Sequence, residues 1–283
     1  MRRRYLVAVA VVALAALAVW RIEAVSARIL ATHYPVPANP LAVPVAGADV
    51  KLGERLAHLN GCFNCHGDRL TGRIAFSGVF GTTLSAPNLT RLVRHRTDKK
   101  LATAIRFGIT PDGTTLIGMP SGNFIKSSDS DIAAIIAYLR SLPEKPDTAA
   151  ETRWRFGGCV MLAMGLFPPE ATLVDRTTRG PRITPTDTIA LGKYIADSQC
   201  TICHGTDLSG DPNVHSPDLR VVIKDYTLAK FQHFLKTGIG RPDHDTAIMK
   251  NIVRRRLRYL TPAEAAALYA YLKVPAPHGQ ISR

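Results

Sequence analysis

Two five-residue runs carry the chemistry of this chain. Cys62-Phe63-Asn64-Cys65-His66 and Cys200-Thr201-Ile202-Cys203-His204 each hold a pair of thiols followed directly by a histidine. Four chemistries use such a C-x-x-C pair. A structural zinc site needs four ligands, yet the two pairs lie 138 positions apart with one adjacent histidine each. A thiol–disulfide redox pair expects a βαβ setting, which the pattern lacks. A disulfide across two intervening residues closes a very small loop and stabilises little. Covalent attachment of haem uses every residue. The thiols of Cys62 and Cys65, and of Cys200 and Cys203, add to haem vinyl groups, and His66 or His204 is left in place to ligate the iron. Two motifs therefore point to two covalently bound haem c groups.

Each iron then needs a sixth ligand or an open site. Met119 lies 53 residues after His66, within Gly118-Met119-Pro120, and Met249 lies 45 residues after His204. Each stands one loop before the last helical pattern of its stretch, and this matching position marks both as iron ligands. A lone methionine elsewhere is core filler, the reading given to Met161 and Met164. His244 competes with Met249, because it sits in the same loop and imidazole also binds haem iron. A ligating histidine needs a partner for its other ring nitrogen; the carbonyls of Pro87 and Pro217 are the candidates. His/Met ligation fills both axial positions and raises the potential, which suits electron transfer rather than oxygen or peroxide chemistry.

The elements that must hold these residues form an internal repeat. The motif extends in both copies to C-x-x-C-H-G-x-x-L-x-G, through Leu70 and Gly72 and through Leu208 and Gly210. Leu52-Gly53 and Leu191-Gly192 begin short helical patterns upstream. Pro87-Asn88-Leu89 matches Pro217-Asp218-Leu219 downstream. Each copy ends in a helix with a start signal: Thr261-Pro262-Ala263-Glu264 is a capping box with proline at the first helical position, and Ser128-Asp129-Ser130-Asp131 is a weaker version. Both helices end in a Tyr-Leu pair, at Tyr138-Leu139 and Tyr271-Leu272. Strand patterning is nearly absent. The expected fold is all-α, with helical units over 48–147 and 186–276, an inter-unit segment over 148–185 and a tail over 277–283.

Arg2, Arg3 and Arg4 precede an apolar run of 16 residues, Tyr5 to Trp20. This is the layout of an export signal. It is either cleaved at Val25-Ser26-Ala27, giving a soluble periplasmic product, or retained over 1–22 as an inner-membrane anchor, with Ile22 and a snorkelling Arg21 completing the span. The anchored form is the expectation, with the remainder in the periplasm. Pro35, Pro37, Pro40 and Pro44 make 30–47 a stiff, extended spacer within a Pro-rich linker over 23–47.

With 283 residues, 46% hydrophobic and 20% charged, the chain has room for two folded domains and is not disordered. Five cysteines exclude a disulfide-stapled scaffold. The formal charge of +14 favours acidic partners. Lys250, Arg254, Arg255, Arg256 and Arg258 read as a solvated face, or as a surface steering an acidic redox partner at a rate that falls with salt. No aromatic-interleaved basic groove accompanies them, so nucleic acid is not an expected partner. Cys159 reads as a buried, inert thiol. The segment Trp154 to Phe167 reads as packing between the two units, with a docking or membrane-contacting patch as the other reading.

The C-x-x-C-H-G motif, the Gly-Met-Pro loop and the helix Asp129 to Leu142 resemble those of class I cytochromes c. Two such domains in tandem behind a transmembrane signal-anchor helix are similar to the cytochrome c subunits of bacterial membrane-bound dehydrogenases for alcohols, gluconate and aldehydes. Those subunits commonly carry three haem motifs where this chain has two, and Lys250 stands where a proline would follow Met249. The resemblance implies an electron-transfer subunit without a catalytic site of its own. Its partners would be a catalytic dehydrogenase subunit and a respiratory acceptor: quinone, cytochrome or oxidase. A dihaem enzyme of peroxidase or thiosulfate-oxidising type, or a free soluble shuttle, are the other expectations.

Overall fold

The computed structural model describes residues 2–178, 180–181, 184–240 and 247–275, so His244 lies outside the described residues. Helix α1 (Arg2–Ala31) does not stop at Arg21 and Glu23 but runs on to Ala31. Its N-terminal part, residues 2–21, is exposed. Among the described residues it alone is long and apolar enough to cross a membrane, with a mean hydropathy of 2.3 over its most apolar stretch. The turns around Ser26, which is buried, pack against a later helix. The extended spacer begins at Thr32, and α1 takes up residues 23–31 of the expected linker.

The first unit contains α2 (Val50–Leu59), α3 (Cys62–His66), β1 (Arg73–Ser77), β2 (Thr83–Ala86), α4 (Leu89–Leu92), α5 (Asp98–Phe107), α6 (Ser121–Phe124) and α7 (Asp129–Ser141). A segment with α8 (Phe156–Ala163) and α9 (Glu170–Leu173) follows. The second unit contains α10 (Thr188–Gln199), α11 (Thr201–His204), α12 (Leu219–Val222), α13 (Leu228–Thr237), α14 (Ala247–Arg255) and α15 (Pro262–Lys273).

In each unit the first and last long helices cross at a glycine. A Cβ on Gly53 would fall 1.9 Å from the Ala134 carbonyl oxygen of α7, and one on Gly192 would fall 2.1 Å from that of Ala267 on α15. Tyr138 and Tyr271 press on the same two glycines. The Leu-Gly and Tyr-Leu signatures are thus the two sides of one helix crossing, made twice.

The fold is otherwise as expected from the helical patterns, with one exception. Strands β1 and β2 form an antiparallel hairpin, pairing Arg73 with Ala86 and Phe76 with Leu84 around a bulge between Ile74 and Phe76. β1 is mostly exposed and β2 is half-buried throughout, so no alternation of buried and exposed positions marks them in sequence.

Three further expectations are corrected. The segment Trp154 to Phe167 packs on the first unit and on α1 rather than between the units. Thr83 pairs with Arg153 and Ile117 with Pro169, Phe167 meets Phe76 edge-on at 5.1 Å, and α8 lies along α1. Cys159 is half-buried rather than buried. Met164 is 68% exposed and fills no core.

The two units meet in a two-fold-like seam. Arg55, two residues after Gly53, forms a bidentate ion pair with Glu264 at 2.7 and 2.9 Å. Tyr194, two residues after Gly192, donates to Asp131 at 2.5 Å. Asp131 and Glu264 occupy the same third position of α7 and α15. Between these contacts Gln199 donates to Asn60 at 3.0 Å. Residue i of one unit meets j of the other and the converse, as in an isologous interface. Glu264 also closes its capping box by accepting from Thr261 N–H at 2.8 Å. Asp131, one methylene shorter, leaves its box open and gives its carboxylate to Tyr194 and Thr184 instead. A cavity of about 160 Å³ remains in the seam, lined among others by Arg55, Asp131, Tyr194 and Glu264.

Candidate functional site

Each cysteine motif is one turn of helix held between conformationally special residues. In the first, Gly61 (φ 77°) enters α3 and Gly67 (φ 82°) leaves it. In the second, Gly205 (φ 78°) ends α11. The chain then makes the same loop twice. Leu70 and Leu208 adopt left-handed backbone (φ 58° and 67°) although they are not glycine, a conformation that persists only where its surroundings impose it. Both side chains are almost fully buried. Gly72 N–H donates to the His66 carbonyl at 3.0 Å, and Gly210 N–H to that of His204 at 2.9 Å. Leu89 and Leu219 donate to the Leu70 and Leu208 carbonyls at 2.8 and 2.9 Å. The histidine, the leucine and both glycines shared by the two copies thus each have a backbone task.

That loop carries the two prolines to the histidines. Gly72 and Gly210 have φ 97° and 96°, and a Cβ on either would strike the passing strand, at Ala86 O (3.2 Å) or Ser216 O (2.5 Å). The close passage puts the Pro87 carbonyl 2.7 Å from His66 Nδ1 and the Pro217 carbonyl 2.9 Å from His204 Nδ1. Both rings therefore donate from Nδ1 and leave Nε2 as the lone-pair nitrogen. Both histidines are buried, at 7% and 8% exposure. Burial lowers the pKa of His66, which keeps its ring neutral, the form that ligates metals.

The thiols are unpaired: Cys62 and Cys65 are half-buried, Cys200 is buried and Cys203 exposed. Burial pushes the Cys62 and Cys200 thiols up to about 12. Such thiols are poor nucleophiles, which argues against a catalytic redox pair. Met119 and Met249 are half-buried and pack against the same hydrophobic core as the cysteine loops. Met249 lies in the first turn of α14. The donor set fits a covalently held haem: free thiols on one turn, an imidazole oriented by a carbonyl, and a thioether from a separate stretch of chain. Among the described residues no cluster of three or more His, Cys, Asp or Glu could hold a metal ion by itself.

Reading the sequence named candidate ligands but missed the seam beside them. His58 stacks between Phe63 of the first motif, at 3.9 Å, and Tyr259 of the other unit, at 4.3 Å. Arg256, which reads as one of five cations on a solvated face, instead donates to the Leu59 carbonyl and to Gln199 at 3.0 Å each. No local signal distinguishes it from exposed Arg254 and Arg255.

A family model described as cytochrome c matches residues 50–143 and 189–274. The chain is 27% identical to the "Alcohol dehydrogenase (quinone), cytochrome c subunit" of Gluconacetobacter polyoxogenes over 278 residues, covering 82% of this chain and 57% of that protein. The same figures hold for the protein of that name from Komagataeibacter europaeus. With that of Gluconobacter oxydans (strain 621H) the identity is 29% over 175 residues, covering 55% of this chain and 34% of the relative. The chain spans about half the length, or less, of the curated relatives it matches.

Proposed function

Since the chain belongs to the cytochrome c family, we propose that it is a membrane-anchored, periplasmic dihaem cytochrome that passes electrons from a catalytic dehydrogenase subunit to a respiratory acceptor. The observation that carries this is the duplicated loop, in which a carbonyl fixes each histidine ring behind a pair of unlinked cysteines. A bound haem c supplies one-electron chemistry. The remaining tasks fall to this chain. Cys62, Cys65, Cys200 and Cys203 would form the thioether bonds. His66 and His204 would present Nε2 to iron while Pro87 and Pro217 hold Nδ1. Met119 and Met249 would each supply a second protein ligand to an iron and so exclude water and peroxide. Helix α1 would lie in the inner membrane, and the acceptor would be quinone, cytochrome or oxidase. The names of the relatives support a dehydrogenase partner of the alcohol-oxidising kind.

One preparation tests the reading. Purified in mild detergent, the native protein should carry two haems per chain, give a low-spin spectrum when fully reduced, and bring a substrate-oxidising subunit with it. Met119→Leu and Met249→Leu should each turn one haem high-spin and leave the other unchanged. A five-coordinate, high-spin spectrum in the unsubstituted reduced protein overturns the His/Met assignment.

A further inference from the structure

Arg256 follows α14 directly and breaks from helical backbone (φ −132°, ψ −69°). This turns its side chain inward, while Arg254, Arg255 and Arg258 stay exposed. Its Nε donates to the carbonyl of Leu59 at 3.0 Å, and its Nη2 donates to Gln199 Oε1 at 3.0 Å. Its Cδ lies so close over Gly61 that a Cβ there would come within 3.3 Å. Leu59 and Gly61 lead into Cys62, and Gln199 immediately precedes Cys200. One guanidinium therefore grips both haem-attachment turns at their N-terminal ends. Both acceptors are neutral, so the charge is hydrogen-bonded but not cancelled by them.

We propose that Arg256 is a positioning residue shared by the two haems, locking their attachment loops together and raising both reduction potentials. The proposal rests on the dihaem reading above. Reduction lowers the positive charge at an iron by one, so a fixed cation nearby favours the reduced state. In a partly dry seam that effect is screened less than on the surface. Haem carries its propionates on the edge opposite its vinyl groups, so a cation beside the cysteines stands away from those carboxylates.

Spectroelectrochemical titration of the full-length, detergent-solubilised holoprotein tests this, after the haems per chain have been counted. Arg256→Gln should lower both midpoint potentials, shifting the reduced-to-oxidised ratio by about three- to tenfold at fixed potential; tenfold is about 59 mV for one electron. Arg256→Lys keeps the charge and should hold both potentials near the parent's. Gln199→Glu places a carboxylate against the guanidinium and should lower both without removing Arg256, which keeps the test open if Arg256→Gln loses haem. Arg255→Gln, on an exposed side chain, should change neither. Unchanged potentials in Arg256→Gln and Gln199→Glu, or a shift confined to one haem, overturn the proposal. So does an Arg256→Lys variant that falls as far as Arg256→Gln, because packing rather than charge would then be responsible. Fewer than two haems in the parent protein instead defeats the dihaem reading on which the proposal stands.

Discussion

A histidine that is to bind iron must give its other nitrogen to the protein, and here a backbone carbonyl takes it. That carbonyl cannot be removed by mutation, which places the burden on the residues that steer it: Leu70 and Leu208 in left-handed backbone and Gly72 and Gly210 in the close passage. A different single residue governs the Met119 loop. Glu170 accepts from Ser121 N–H at 3.3 Å and packs beneath Gly108. Burial pushes its carboxyl up to about 7 from an ordinary 4.5. Below pH 4.5 the folded and unfolded chains both hold the proton, so the group has no effect. Between 4.5 and 7 the unfolded chain releases it first, and stability falls as pH rises. Above 7 the loss is complete and constant. Glu170→Gln should therefore be more stable than the parent at pH 8, by on the order of 1–2 kcal/mol after allowance for residual solvation. The gain should shrink towards pH 4.5. Melting temperatures at pH 5 and pH 8 check this, and an equal difference at both would show that Glu170 is ionised in the fold.

The helix crossings bring the same logic to the level of elements. Gly53 and Gly192 leave no room for a methyl group, because the atom each would meet is a backbone carbonyl that cannot swing aside. Gly53→Ala should open the α2–α7 crossing and Gly192→Ala the α10–α15 crossing. Each should cost about 1–3 kcal/mol from overpacking and, on the dihaem reading proposed above, release the haem of its own unit first, so that haem counts fall from two towards one. Loss of both haems from either variant would mean that the units do not fold separately. Elements of this local kind were legible in the sequence. The capping box at Thr261–Glu264, the Ser128 cap, the Tyr-Leu helix ends and the C-x-x-C-H-G loop all depend on residues within one or two turns of each other. The β1–β2 hairpin was not legible, because its strands carry no alternation. The true role of Asp131 was hidden as well: its carboxylate serves a tyrosine 63 positions away rather than its own helix end.

What the sequence concealed most completely is the joining of the parts. Arg55 and Glu264 are 209 positions apart, and Arg256 and Leu59 are 197 apart; no periodicity or spacing connects such residues. The repeat does allow the symmetry to be understood afterwards, since equivalent positions on α2 and α10 reach equivalent positions on α7 and α15. The attachment of α1 is hidden in the same way. A hydropathy pattern ends at Trp20, but the helix continues, and its last turns are buried against α8 around Ser26. Helix α8 in turn rests on the first unit through Thr82, which accepts from Gly158 N–H at 2.8 Å. The long apolar stretch thus runs on, as one helix, into turns that pack through α8 on the first unit rather than ending at an extended spacer. Two truncations separate these roles. Removing residues 2–21 takes away the apolar stretch and leaves the Ser26 contact, so the holoprotein should become soluble without detergent and keep the parent melting temperature. Removing residues 2–31 also uncovers α8, and by exposing its apolar face should lower the melting temperature by several degrees and promote association in sedimentation measurements. If the two truncated proteins melt alike, α1 is only an anchor and its last turns add nothing to the body.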